Sequence, residues 1–239
     1  MGDDDMLPAW QTVAELSRTD VARDLVLVGG LMVHAHAARG GVIAPRSTND
    51  ADFLVNYVTA RSTLIGARSS LAGLGFKLDG DGVYAYRWLH EDGRKVDVMV
   101  PEHSLPPAAR LSRRPALEVP AGRQAIQRRD TYRIQFNLGV GIEIGVPDEL
   151  GALVAKAAAF LVDQRDRERH LGDSATLLAS VTDASALDYA SLNKSDKRRL
   201  HAMHKQLADG SHAGWAVLEE ADRAHGRFNL DVIAAAAGV

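Results

Sequence analysis

The chain has 239 residues, 46% of them hydrophobic and 25% charged, with a formal net charge of -3. That composition belongs to a globular chain long enough for one large domain or two small ones, and the near-neutral balance leaves any nucleic-acid contact to local clusters. The absence of cysteine excludes disulfides, thiolate catalysis and zinc–thiolate sites, and no apolar run approaches the roughly 20 residues that cross a bilayer.

The first ten residues, MGDDDMLPAW, are acidic where a signal peptide is basic, so a cytoplasmic location is expected. Residues 8–20 read as a short helix, with Pro8 suited to its first turn. The run 24-DLVLVGG-30 reads as a short buried strand stopped by two glycines, and the alanine-rich 31–39 as the helix that follows. Residues 51–58 predict a second strand and 59–73 a second helix, with Thr59 as N-cap and Gly73 and Gly75 at its end. The runs 83–90 and 95–101 flank Asp92-Gly93, a hairpin signal. A proline- and arginine-rich stretch over 102–130 holds a short helix at 121–129, and two strands, 131–136 and 140–146, lead to Pro147. From 148 onward the pattern is helical, over 148–164, 172–181, 193–208, 212–224 and 229–237. The fold class implied is α/β: a small mixed sheet with flanking helices in residues 1–147, then a helical C-terminal domain in 148–239.

Chemistry concentrates in 44-APRSTNDADFLV-55. Asp50 and Asp52, two apart at the start of a strand, project from one face. Two carboxylates so placed repel each other unless a divalent cation or basic neighbours hold them. Asp97 sits alone among the valines of 95-KVDVMVP-101, where an unpaired carboxylate is costly to bury. If those strands are neighbours, three carboxylates converge on a site for Mg²⁺ and a nucleoside triphosphate. The pair Gly29-Gly30 would let backbone N–H groups and a helix N-terminus approach phosphate. Alone, Ser-Thr-Asn-Asp is equally good turn or cap chemistry.

Taken in order, Gly29-Gly30, then Arg46-x-Thr48-x-Asp50-x-Asp52, then Asp97, resembles the signature of polymerase-β-type nucleotidyltransferases. Within them the run 28–55 is most similar to the AbiEii-like toxins of type IV toxin–antitoxin systems, including the MenT group. The resemblance spans roughly residues 24–180 and takes in the basic segment 122-GRQAIQRR-129, Lys156 and Asp173. It implies a nucleotidyltransferase sheet on which Asp50, Asp52 and Asp97 hold Mg²⁺, with Asp97 alternatively the general base. It implies that Arg46 and Thr48 face the triphosphate with Gly29 and Gly30, that Lys156 contacts the nucleotide, and that Asp173 orients it or the acceptor. The expected activity is transfer of a nucleoside monophosphate from an NTP (ATP among them) to an acceptor hydroxyl. tRNA is the favoured acceptor, with toxicity as the consequence and a cognate antitoxin as partner. The alternatives are nucleotidylation of a small molecule or a protein, or an inactive nucleotide-binding homologue. No membrane partner is expected.

Blander readings stand beside these. Lys156 in an alanine-rich helix also reads as a solvent-facing or snorkelling lysine, and Asp173 after Gly172 as a helix N-terminal residue. His34 and His36 do not share a helix face, and partial burial explains them better than ligation. Seven arginines between 110 and 133 face only Glu118 and Asp130, and Lys194, Lys197, Arg198, Arg199 and Lys205 face only Asp196. Such runs are usually solvated faces; on a nucleotidyltransferase they also suit an RNA acceptor.

Overall fold

A computed structural model of the chain describes residues 8–44, 47–55, 61–102, 110–111, 114–136 and 141–239. The chain divides into two compact units. One comprises Met1–Leu31 and Thr48–Pro147, the other Met32–Ser47 and Asp148–Val239. The helical unit thus takes in residues 32–47, which the sequence alone assigns to the sheet, and the division falls inside a helix.

In the sheet unit the elements run in order: α1 (Pro8–Leu16), a 3-10 turn (Asp20–Asp24), β1 (Leu25–Val28), α2 (Gly29–Gly40), β2 (Asp50–Val55), α3 (Arg61–Gly73), β3 (Lys77–Leu78), β4 (Arg87–Leu89) and β5 (Lys95–Pro101). Then follow β6 (Arg110–Leu111), β7 (Arg114–Pro115), β8 (Glu118–Val119), α4 (Gly122–Gln127), β9 (Arg129–Gln135) and β10 (Gly141–Pro147). The main sheet has eight strands in the order β3-β4-β5-β2-β1-β10-β9, with β8 beside β5; β6 and β7 form a separate pair. It is mixed: β2 runs parallel to β5 and β1 parallel to β10, while β1 and β2 are antiparallel. All four residues of β1 are buried, as befits a central strand.

α1 packs on β2 and β5. The apolar face of those strands holds Ala51, Phe53, Val96 and Val98, each at most 2% exposed. The opposite face carries Asp50, Asp52, Lys95 and Asp97, as the two-residue alternation requires. Further along that second face, Gly122 opens α4 so close to β5 that a Cβ would stand 2.8 Å from Pro101 Cα.

The Asp92-Gly93 hairpin forms as the sequence predicts: His90 and Arg94 pair across it and Gly93 takes φ +90°. Its first strand is shorter than 83–90. Ala85 bonds sideways to Pro115, and the Arg114 guanidinium takes the carbonyls of Asp79, Gly80 and Gly82. Thr59, the expected cap of α3, lies outside the described residues.

The helical unit contains the later part of α2 with α5 (Glu149–Val162), α6 (Glu168–Ser180), α7 (Lys194–Leu207) and α8 (Glu220–Ala237). Asp148 caps α5, its carboxylate accepting from Gly151 N at 2.7 Å. Asn193 and Asp196 form a capping box on α7. The expected helices 212–224 and 229–237 are redrawn as a 3-10 turn at Ala213–Trp215 and one continuous α8. Gly226 does not break α8. It lets the helix approach Trp215 and Ala179, whose atoms would stand 3.0 and 3.1 Å from a Cβ there. Trp215, 1% exposed, anchors this core and donates its indole N–H to Leu207 O. Among the described residues no helix is long and apolar enough to cross a membrane.

Candidate active site

Strand register builds the acidic face. Asp52 lies opposite Asp97 on parallel β5 and opposite Val28 on antiparallel β1, while Asp50 lies opposite Lys95. Asp50, Asp52 and Asp97 therefore come onto one face of adjacent strands, as the alternation predicts.

Gly29 follows Val28 directly, at the level of Asp52. It takes φ +68°, and a Cβ on it would fall 1.8 Å from Asp52 Oδ2. Both the backbone conformation and the missing side chain are required there. The first glycine of the pair makes room for a carboxylate of this chain, where the sequence suggests room for phosphate. Gly30 is buried in the first turn of α2. The Asp52 carboxylate thus rests at the start of a helix, where negative charge is favoured.

Thr48 is buried, and its hydroxyl donates to Asp50 O at 3.4 Å. That contact lies at the chain's entry into β2. Arg46 lies outside the described residues.

A side chain that sequence reasoning passed over completes the face. Arg87 on β4 lies opposite Asp97 and grips it with a two-pronged bond, Nε to Oδ1 at 2.9 Å and Nη2 to Oδ2 at 2.7 Å. The same Nη2 stands 3.8 Å from Asp50 Oδ2, and Lys95 Nζ stands 4.0 Å from Asp50 Oδ1. The bonds to Asp97 raise the Arg87 pKa further, so the guanidinium is always cationic. The signal for this pair was present: Arg87 and Asp97 are equally far from Asp92 at the hairpin turn, and that register faces them across the strands.

As hard oxygen donors, Asp50 and Asp52 suit Mg²⁺. Both oxygens of Asp97 accept from Arg87, a partner that the sequence alone did not suggest. Among the described residues no group of three His, Cys, Asp or Glu side chains is assembled as a metal site. The Asp50–Asp52 pair stands beside an Asp97–Arg87 ion pair.

No family model, curated protein or solved structure matches the chain.

In the helical unit, Lys156 of α5 and Asp173 of α6 meet at 2.6 Å with both side chains buried. The solvent-facing reading of Lys156 is therefore wrong. So is the terminal reading of Asp173, since α6 begins at Glu168. His170, one turn before Asp173, joins the cluster. Its Nε2 lies 3.0 Å from Asp163 Oδ2, and its buried Nδ1 has no partner among the described residues. Burial pushes the His170 pKa below 6.5, Lys156 adds to that, and the Asp163 hydrogen bond opposes it. Hydrogen bonds from Arg165 N and from His170 hold the Asp163 carboxyl well below the usual range. A neutral His170 donating from Nε2 to an ionised Asp163 satisfies both. The i, i+3 spacing of His170 and Asp173 was the available signal.

Of the basic runs, Arg113 lies outside the described residues. Arg114 and Arg129 hold backbone carbonyls, and Arg133 pairs with Glu143. On α7, Arg199 is buried against Asp196, whereas Lys194, Lys197, Arg198 and Lys205 are exposed. His36 is buried and His34 partly so.

Proposed function

We propose that the protein is a Mg²⁺-dependent nucleotidyltransferase of the polymerase-β type, moving a nucleoside monophosphate from an NTP to an acceptor hydroxyl. The observation that carries this reading is the register of the acidic face. Asp50 and Asp52 project together from β2, with Asp97 beside Asp52 and Gly29 shaped to receive the Asp52 carboxylate. The order and spacing of these residues are those of the resemblance drawn from the sequence.

Bound Mg²⁺ supplies neutralisation of triphosphate charge and activation of the attacking hydroxyl. The chain's own part is positional. Asp50 and Asp52 would hold the ion, and the start of α2 at Gly29-Gly30 would present backbone N–H groups to anionic oxygen. Asp97, once released by Arg87, accepts the proton of the acceptor hydroxyl. That oxygen bonds to the α-phosphorus as the bond to pyrophosphate breaks. Arg46 at the triphosphate, and Lys156 and Asp173 at the nucleotide, rest on the resemblance alone.

tRNA is the favoured acceptor, and the exposed basic side chains of α7 support an RNA partner. Toxicity and a cognate antitoxin are the biological setting that the resemblance implies. A second reading, an inactive nucleotide-binding homologue, is favoured by the Arg87 grip on Asp97. The two separate on incubation with each α-labelled NTP, Mg²⁺ and total tRNA or a small-molecule panel. Label on tRNA supports the proposal, and label only on a small molecule moves the acceptor class. Mg²⁺-dependent NTP binding without transfer to any acceptor supports the inactive homologue.

A further inference from the structure

We propose that Arg87 is a resident counter-ion of the acidic face and competes with the divalent cation for it, so that metal enters as Arg87 lets go. The inference rests on the nucleotidyltransferase reading for its ligand, and on four observations for its substance.

First, Arg87 spans the carboxylates, bonded to both oxygens of Asp97 and standing 3.8 Å from Asp50. Its guanidinium thus contacts the carboxylate of β5 and approaches one carboxylate of β2, the strand that would supply the ligands. Second, the side chain is 34% exposed, so it has solvent to swing into. Third, its backbone is fixed on both sides. Tyr86 O accepts from Val98 N, and Arg87 O accepts from Asp79 N, both at 2.8 Å. Any release is therefore a side-chain movement, and β4 stays in the sheet. Fourth, Lys95 supplies a second, looser cation on Asp50 at 4.0 Å. The face is neutralised piecemeal by flexible side chains, which a compact divalent ion replaces more effectively. An arginine kept only to tie β4 to β5 would have no need to reach toward Asp50.

The consequence is a metal affinity set by Arg87. Without metal, both oxygens of Asp97 are held by Arg87. With metal, Asp97 is free and Arg87 is available to anionic oxygens of the nucleotide. Ion binding and release of the Asp97 ion pair become one event.

The test is Mn²⁺ binding by calorimetry to the native chain, Arg87→Met, Arg133→Met and Asp50→Asn/Asp52→Asn, each checked for folding by circular dichroism. Arg133 pairs with Glu143 elsewhere on the sheet and controls for net charge. Arg87→Met is expected to bind Mn²⁺ about tenfold more tightly or better, the scale of removing a unit charge within about 4 Å. Arg133→Met should match the native chain, and the double aspartate variant should lose binding. If the native chain binds Mn²⁺ through Asp50 and Asp52 but Arg87→Met binds no more tightly, the competition is refuted and the metal site stands. If neither binds, both fail. A measurement needing no variant accompanies it. In the native chain, Mg²⁺ should shift the Arg87 ¹⁵Nε–¹H resonance with the midpoint of metal binding. An Arg87 signal unmoved at saturation overturns the proposal.

Discussion

Gly29 and Asp52 share one space: the carboxylate of the second fills the volume that a side chain on the first would need, with Oδ2 1.8 Å from the ideal Cβ position. The glycine pair and the D-x-D pair, some 20 residues apart in sequence, are two halves of one packing solution. Gly29→Ala should therefore cost about 3 kcal/mol or more, from a left-handed alanine plus a displaced aspartate. Gly41→Ala is the comparison. Gly41 also has a positive φ, +73°, but nothing lies within 4 Å of its Cβ position, so only the backbone cost of about 1 kcal/mol applies. Urea unfolding of both variants measures the difference. Equal costs would mean that Asp52 yields its place freely.

Lys156 and Asp173 form a buried ion pair, and such pairs are asymmetric under mutation. Removing one partner strands a buried charge, at about 3–5 kcal/mol, whereas replacing both with apolar groups is nearly neutral. Lys156→Met alone should be strongly destabilising. Lys156→Met with Asp173→Leu should recover to within about 1 kcal/mol of the native chain. The double-mutant cycle, read from chemical denaturation, gives the coupling directly. Additive single effects would contradict the pairing.

His170 makes stability depend on pH near neutrality. Its folded pKa lies below the ordinary 6.5, so the unfolded chain binds the proton first. Its contribution is complete above about 6.5 and is lost as pH falls from there toward the folded pKa. The groups around it are Asp163, Lys156, Arg169 and Asp173. Asp163 has its pKa lowered, so its contribution is present throughout this range and is lost only at much lower pH, and the two are separable. Melting temperatures between about pH 7.5 and 5.5 should fall for the native chain and fall less for His170→Gln, which still donates toward Asp163. Parallel curves would assign the loss to other groups.

Much of the architecture was legible because its signals are local. A four-residue apolar run ending in Gly29-Gly30, the Asp92-Gly93 turn and the alternation around Asp97 each fix an element without reference to the rest. What escaped depends on packing across sequence distance. The break expected between helices 212–224 and 229–237 is absent, and Gly226 within that gap serves a close approach to Trp215 and Ala179. The grouping of residues 32–47 with the C-terminal helices has no local mark at all. At the site, periodicity alone places Asp50 and Asp52, but the state of Asp97 depends on Arg87, an arginine whose meaning appears only once the hairpin register is drawn. The burial of Lys156 was hidden because an alanine-rich helix shows no clear polar face.

The central claim is that the Asp50–Asp52 pair carries Mg²⁺-dependent nucleotidyl transfer, and the most direct measurement is transfer of α-labelled nucleotide to tRNA by the native chain and by Asp50→Asn/Asp52→Asn. The amides keep the shape packed against Gly29 while removing both charges, so the fold is retained and its retention is checked by melting. Label should appear on tRNA with the native chain and be at least about a hundredfold less with the variant, the scale expected when charge stabilisation of the transition state is lost. Undiminished transfer by the variant, or no transfer by the native chain from any of the four NTPs, would contradict it.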